Sequence, residues 1–382
     1  MPKLYIISTS NEPNNVISGH ADFARAAGLE PVFVFPHRVG EEKFDSILSG
    51  HQTVQLNFTF KTTCTFAYLW SIMLLLLHVT WIFAFKRETR DFLAIDLTGT
   101  IACLFLKLRG ARVHTLVNDN FSARYDVSPF LYRVLRAIES SVFQFVSTTC
   151  IFPDESRYVL LGSPSLKRVY YLPNILTDEY APRYEGSNSD KLFVMFCGWL
   201  APSRGIELLS DLLKQTSENV EFLLVGSGDE EKLTSLAGNK RVKYIGHVSQ
   251  RKNLDFMAKV DINFAFYNPN ILINRFALPQ KIYDSLLISC PLFVNAEVQM
   301  TISLQKSGAC FSAEYFDILA IASKLNELVH DKAQLMGMSK AMESYSAEFA
   351  NFQKTQLIGI NIYRDIVKLN SRQAARIRSN KK

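Results

Sequence analysis

Short apolar runs alternate with longer stretches whose apolar residues recur at helical spacing. Residues 4–8 read as a buried strand, 16–27 as a helix stopped by Gly28, and 31–35 as a second strand. Residues 94–96 end a further strand, and 98–109 read as a helix followed by Gly110. Strand 113–117, a long helix over 128–146, and strands 149–152 and 167–171 follow. The polar segment 181–190 is the clearest break, and a second cycle begins after it. Its strands are 192–196, 221–225, 242–245, 261–265 and 291–294, and its helices 205–216, 249–258, 279–288, 318–329 and 332–351. This alternation predicts an α/β chain of two doubly wound, Rossmann-like domains, 1–180 and 190–352. Ligands of such folds sit beyond the carboxyl ends of the strands, and with two domains the cleft between them is the default site.

One segment breaks the pattern. Between Lys61 and Lys86 lie 24 residues without Asp, Glu, Lys or Arg. A helix over 66–85 is about 30 Å long, enough to cross a hydrocarbon core. A transmembrane span would put strands of one sheet on opposite sides of a bilayer. The alternatives are a buried core helix, or a helix packed partly on the sheet with its outer face in the membrane surface. Ser71 and His78 share one narrow polar stripe, and Trp70 and Trp81 suit interfacial depth. Lys86, Arg87 and Arg90 follow and can meet phosphates.

The 382 residues suffice for two domains with sizeable cores. A formal charge of +6 is too mild to argue for nucleic acid, although the tail carries Arg372, Arg376, Arg378, Lys381 and Lys382 with no acid among them. The six cysteines show no CxxC spacing and read as free thiols in a reducing compartment, with no zinc site. The amino-terminal MPKLYIIS lacks the layout of a secretory signal, so cytoplasmic exposure is expected.

Candidate chemistry clusters after the strands. Gly198 closes the first strand of the second domain and lets a ligand approach the backbone; Arg204 precedes Gly205 and a helix start, a place suited to clamping a diphosphate. Gly226-Ser227-Gly228 follows the next strand, and His247 the one after, where loop backbone can meet a base. Lys281, Ile282 and Asp284 open the helix begun at Pro279; Lys281 and Asp284 share a face, one to meet a phosphate and the other a ribose diol. In the first domain Asn118-Asp119-Asn120, with Ser122, Arg124 and Tyr125, follows strand 113–117, and Asp119 can accept from a sugar hydroxyl or act as a base. Glu139, later in a helix, reads as structural, and His78 as a stripe residue. Each of these also has a plainer reading: a surface Arg beside a turn, a sharp Gly turn, an i,i+3 ion pair.

The stretches FCGWLAPSRGIELL, EFLLVGSGDEEKL, VKYIGHVSQRKNLDFMAKVDINFAFY and LPQKIYDSLLISCPLFV, with HTLVNDNFSARY, IFPDESRYVL and VYYLPN in the first domain, resemble the retaining glycosyltransferases of the two-domain GT-B fold. The chain is most similar to the group 1, or family 4, enzymes that build bacterial surface polysaccharides and lipopolysaccharide. The resemblance implies a nucleotide-sugar donor, a glycan or lipid-linked acceptor, no metal, and front-side attack assisted by the leaving phosphate. It also implies that 353–382 begins as a helix returning to the first domain. Arg204 occupies the place of the family's basic residue before the helix glycine, and Asp284 that of its ribose-binding Glu. Trp199 stands where a second Arg is frequent, Asn118-Asp119 where a His-Asp pair is frequent, and Asn274 or Arg275 lies near the place of the other Glu. Gly19 or the loop at Asn14 and Asn15 is the candidate for donor-phosphate or acceptor contact. The resemblance thus favours catalysis through Asp119, Arg204 and Lys281, with donor contacts at Gly198, Arg204, Gly226, His247, Lys281, Ile282 and Asp284. The competing readings are an inactive partner subunit that keeps the fold, and a sugar-nucleotide epimerase of the same fold.

Overall fold

A computed structural model describes residues 1–9, 15–38, 51–61, 64–84, 91–174, 180–349 and 352–379. Asn14, Lys86, Arg87, Arg90, Lys381 and Lys382 lie outside these residues, as do the side chains of Asn15, Arg372, Arg376 and Arg378. The chain divides into two compact units, Met1–Thr177 with Phe352–Lys382, and Asp178–Asn351.

The first unit holds a parallel sheet in the order β3-β2-β1-β4-β5-β6-β7. Its strands are β1 (Lys3–Ile7), β2 (Glu30–Arg38), β3 (Gln52–Phe60), β4 (Asp91–Ile95), β5 (Arg112–Leu116), β6 (Ser147–Phe152) and β7 (Val169–Tyr171). Its helices are α1 (Asn15–Ala26), α2 (Thr65–Ala84), α3 (Asp96–Ala102), α4 (Leu104–Leu108), α5 (Pro129–Val146) and α6 (Glu155–Leu160). Parallel strands need crossovers, and helices on both faces leave the strands apolar on both sides. Alternate residues of β1 show the two faces: Leu4 and Ile6 join the core beneath α1, whereas Tyr5 and Ile7 join the core with Leu75, Val79 and Phe83 of α2. That contact decides how α2 lies. It packs along the sheet between β3 and β4, and only 22% of its apolar window is buried, so the opposite side faces outward. The stripe residues turn inward: Ser71 Oγ accepts from Lys61 N (2.9 Å) and donates to Ala67 O (2.8 Å), while the His78 ring meets that of Phe58 at a tilt, centroids 4.8 Å apart.

The second unit holds a parallel sheet in the order β10-β9-β8-β11-β12-β13. Its strands are β8 (Leu192–Leu200), β9 (Val220–Gly228), β10 (Val242–Gly246), β11 (Ile262–Ala265), β12 (Leu292–Asn295) and β13 (Phe311–Ala313). Its helices are α7 (Leu209–Gln215), α8 (Glu230–Ala237), α9 (Gln250–Met257), α10 (Leu272–Arg275), α11 (Gln280–Ile288), α12 (Gln299–Lys306), α13 (Ile318–His330) and α14 (Ala333–Phe349). The last helix, α15 (Phe352–Ser379), packs on α1 of the first unit. Gly359 permits that approach, since a Cβ there would come within 2.6 Å of Phe23.

Several expectations need correction. The helix expected over 98–109 is two helices broken at Cys103. The helix expected over 205–216 opens with one 3-10 turn, Ile206–Leu208, which Gly205 at φ +86° separates from a 3-10 turn over Pro202–Arg204, and becomes α-helical only at Leu209. The polar segment 181–190, expected as the break between domains, belongs to the second unit: Asp261 accepts from Ser187 Oγ (2.6 Å) and Ser187 N (3.2 Å), and Tyr184 donates to Asp261 O (3.0 Å). Strand β3 escaped the sequence reading, although Val54, Leu56, Phe58 and Phe60 alternate as an edge strand should.

His20 of α1 is buried and its Nδ1 lies 2.9 Å from Tyr363 Oη of α15. Burial lowers its pKa to about 3. The unfolded chain therefore binds the proton more readily, and stability falls with pH below an unfolded His pKa of about 6.5, by up to about 1.4 kcal/mol per unit. Urea unfolding at pH 7 and pH 5 is expected to show a smaller loss for His20→Gln than for the parent chain. Equal losses would contradict the buried, neutral His20.

Candidate functional site

In each sheet the strand order reverses once: between β8 and β11 in the second unit, and between β1 and β4 in the first. Chains leaving two such neighbours depart in opposite directions and open a crevice at the carboxyl edge. Clusters of charged and aromatic side chains lie at both places.

In the second unit the loop after β8 carries Arg204, and the segment after β11 carries Tyr267. The Arg204 guanidinium lies over the Tyr267 ring, 4.9 Å from its centroid, and the Lys281 ammonium lies 5.5 Å from the same centroid. Two cations thus share one buried aromatic ring. Burial lowers the pKa of Lys281; Cys197 opposes the shift and Arg204 adds to it. The ring is held by its backbone. Tyr267 N donates to Asn295 Oδ1 (2.8 Å), and Asn295 Nδ2 donates to Tyr267 O (3.1 Å). Lys281 is held through β11: Asn263 Nδ2 donates to Lys281 O (3.1 Å) and to Ser285 Oγ (2.7 Å). The Arg204 loop is tied to the segment after β11 by Asn268 N to Ser203 O (3.0 Å) and Asn268 Nδ2 to Glu207 Oε1 (3.1 Å). Tyr315 donates to that Glu207 oxygen as well (2.7 Å).

Gly198 and Gly226 face each other across β8 and β9. Gly226 has φ +144°, and a Cβ on it would lie 1.8 Å from Gly198 O, so no other residue fits. Gly198 has φ +89° and open space on its Cβ side. His247 is exposed just beyond β10, on the same carboxyl edge.

Two expected ligand contacts look different in the structure. The Asp284 carboxylate is buried, accepting from Gln250 Nε2 (2.7 Å) and Gln280 Nε2 (2.9 Å). Burial raises its pKa to about 6 against those two hydrogen bonds, so the group is packed under the start of α11 and its oxygens are already engaged. Ile282 has its side chain in the core and its N–H on Pro279 O (3.0 Å), which leaves it no free donor. Asn274 is buried and holds Asn268 O (2.9 Å), and Arg275 donates to Pro269 O (2.7 Å); both brace the loop. Gly19 is buried within α1.

In the first unit Asp96 stands directly at the end of β4, with φ +54°. Its carboxylate accepts from the N–H groups of Asn118 (2.8 Å) and Asp119 (3.3 Å), and burial raises its pKa to about 6. Arg124 bridges Asp119 (3.2 Å) and approaches Asp96 (3.7 Å), while Arg157 meets Asp119 from the other side (3.4 Å). Glu139 accepts from Phe121 N (2.8 Å) and Ser122 N (3.0 Å), so it caps the turn that presents this cluster. The structural role expected of Glu139 is what it performs. Asp96 and Tyr267 were missed in the sequence, yet Asp96 follows β4 directly and Tyr267 follows β11 after one residue, which is the available signal.

No protein-family model and no curated protein sequence matches the chain. Solved structures do. Sucrose-phosphate synthase from Thermosynechococcus elongatus aligns with a TM-score of 0.75 at 11% identity, over 97% of this chain and 100% of that one. Anabaena HepE in complex with UDP-glucose aligns at 0.69 and 13% identity, over 94% and 98%. The chain has the GT-B fold. WaaG, a glycosyltransferase involved in lipopolysaccharide biosynthesis, shares it with a TM-score of 0.67 at 11% identity, over 94% and 99%. At such identities the likeness concerns the fold, and the residue chemistry has to be argued from this chain.

The Gly198–Gly226 contact yields a paired test. Gly198→Ala meets backbone strain alone and is expected to cost about 1–2 kcal/mol, whereas Gly226→Ala adds a hard clash and is expected to cost about 3 kcal/mol or more. Urea unfolding measures both; equal stabilities would contradict the close approach.

Proposed function

We propose that this chain is a retaining glycosyltransferase that moves a sugar from a nucleotide-sugar donor to a lipid-linked or membrane-proximal glycan acceptor. The observation that carries the reading is the pair of cations on the Tyr267 ring. Two neighbouring positive charges repel, and Arg204 adds to a lowering of the Lys281 pKa that burial chiefly causes. A diphosphate between them relieves it, and fixed charges aimed at a developing anion are a large part of catalysis in a site shielded from water. HepE was solved with UDP-glucose bound, which makes a uridine diphosphate sugar the first donor to try.

In this reading Gly198 and Gly226 let the donor approach the backbone, and the loop at His247 flanks the base. Asp284 and Ile282 act beneath the surface by setting the start of α11, so the ribose contact expected of Asp284 passes to its Gln partners or requires them to yield. Asp119 receives the acceptor. The anomeric C–O bond breaks with its electron pair passing to the diphosphate, which Arg204 and Lys281 neutralise. The acceptor oxygen bonds to the anomeric carbon from the same face, and its proton passes to the leaving phosphate. No metal ion is assigned a part. Free cysteines, five of the six buried, suit the cytoplasmic side of a membrane.

Trp199, 66% exposed where the resembled family often has Arg, favours a second reading, a partner subunit that keeps the fold without turnover. Radiolabelled UDP-, GDP- and ADP-sugars, offered with membrane extract, separate the two. Label is expected in the lipid fraction with one donor class, and Arg204→Ala and Lys281→Ala are each expected to cut transfer by about tenfold or more without lowering the melting temperature. Absence of transfer with every donor, or near-normal transfer by both variants, would overturn the assignment.

A further inference from the structure

The outward side of α2 is one of three helical surfaces covering the same face of the first sheet. Residues of α2, α3, α4 and α5 join one core against β1, β2 and β5, and α3 packs against both α2 and α5. On their outer sides these helices are apolar. Phe66, Leu69, Trp70, Met73, Leu77 and Trp81 of α2 are exposed, Trp70 by 51% and Trp81 by 75%. Phe105 and Leu108 of α4, and Phe130, Val134, Ile138 and Phe145 of α5, are exposed too. A surface of this kind is larger than the scattered apolar residues of an ordinary solvated face.

Among the described residues of α2, α4 and α5 the exposed charges have one sign. Helix α2 has none; α4 has Lys107, followed by Arg109; α5 has Arg133 and Arg136, and its one acid, Glu139, is buried. The other acids among the described residues of this stretch are Asp91 at the start of β4, Asp96 at the start of α3, and Asp119 and Asp126 in the loop before α5. The surface also runs into that loop: the Tyr68 ring of α2 stacks on Phe121, centroids 6.3 Å apart and planes 2° from parallel, and Phe121 contacts Tyr125.

We infer that α2, α4 and α5 together form the face on which this protein lies against an anionic lipid bilayer. Indole rings at interfacial depth, aliphatic residues between them and a fringe of arginines match the layered chemistry of a bilayer surface. A second copy of the chain is disfavoured because it would set the Arg133 and Arg136 fringe against itself. A spanning helix is disfavoured because Leu75, Val79 and Phe83 are packed on the sheet. The face adjoins the Asp96–Asp119–Arg124 cluster, so a bilayer there presents lipid-linked hydroxyls to it; only that last step rests on the proposed transferase activity.

Vesicle flotation of the full chain tests the docking. The protein is expected to float with phosphatidylcholine vesicles containing phosphatidylglycerol, less so with phosphatidylcholine alone or at high salt, and to be released by a carbonate wash. The double variant Trp70→Glu/Trp81→Glu is expected to lose about tenfold or more of its partitioning, with an unchanged melting temperature. Arg133→Glu/Arg136→Glu is expected to lose the preference for anionic lipid. Leu319→Glu, at an exposed apolar residue of the second unit, is expected to change nothing. Recovery of the parent chain in the soluble fraction, a stable dimer without lipid that the tryptophan variants abolish, retention through the carbonate wash, or equal loss in Leu319→Glu would each overturn the inference. Calorimetric titration with UDP-glucose keeps the two proposals apart. Donor binding without flotation leaves the transferase reading standing, and flotation without donor binding leaves the docking face standing.

Discussion

The polarity of a parallel sheet governs everything else in this chain. Every strand needs a crossover to return to the same edge, so all loops that follow strands collect at the carboxyl edge. Where the strand order reverses, the loops on either side turn away from each other and no helix fills the gap. That reversal lies between β8 and β11 in the second unit and between β1 and β4 in the first. Arg204 and Tyr267 flank one reversal, and Asp96 follows a strand of the other.

What the edge collects, a layer of buried polar side chains then fixes. Asn263 and Asn295 hold the backbone of Lys281 and Tyr267, and Glu207 with Tyr315 holds the loop of Arg204. Glu139 and Asp96 do the same for the loop of Asp119 by accepting backbone N–H groups. Such groups are costly to bury unpaired and specific once paired. Asp284 is another buried polar group of this kind, with Gln250 and Gln280 as its partners.

Much of this was legible in the sequence, for physical reasons that also mark where it stopped. Strands buried on both faces are short apolar runs, and glycines at their ends announce close backbone approach, as at Gly198 and Gly226. Arg204 and Lys281 were readable because both lie near expected strand or helix ends. Edge strand β3 was obscured because its alternation is only half buried. The break at Cys103 and the slow start of α7 reflect tertiary packing that propensity does not encode. The burial of Asp284 was hidden because its partners come from two helices, Gln250 being 34 residues away. The uncharged segment was legible as a helix, but its division into a sheet-packed side and an outer side required the sheet itself.

The central claim is that the strand-order reversal of the second unit is a diphosphate site built by Arg204, Lys281 and the glycine-ended strands. Hydrogen exchange of the full chain with and without UDP-glucose tests it most directly. The account expects slowed exchange at the amides after β8, after β9 and at the start of α11, with the outer helices of the same unit unchanged. Protection confined to other segments, or no change at saturating ligand for any of the UDP-, GDP- and ADP-sugars, would contradict it.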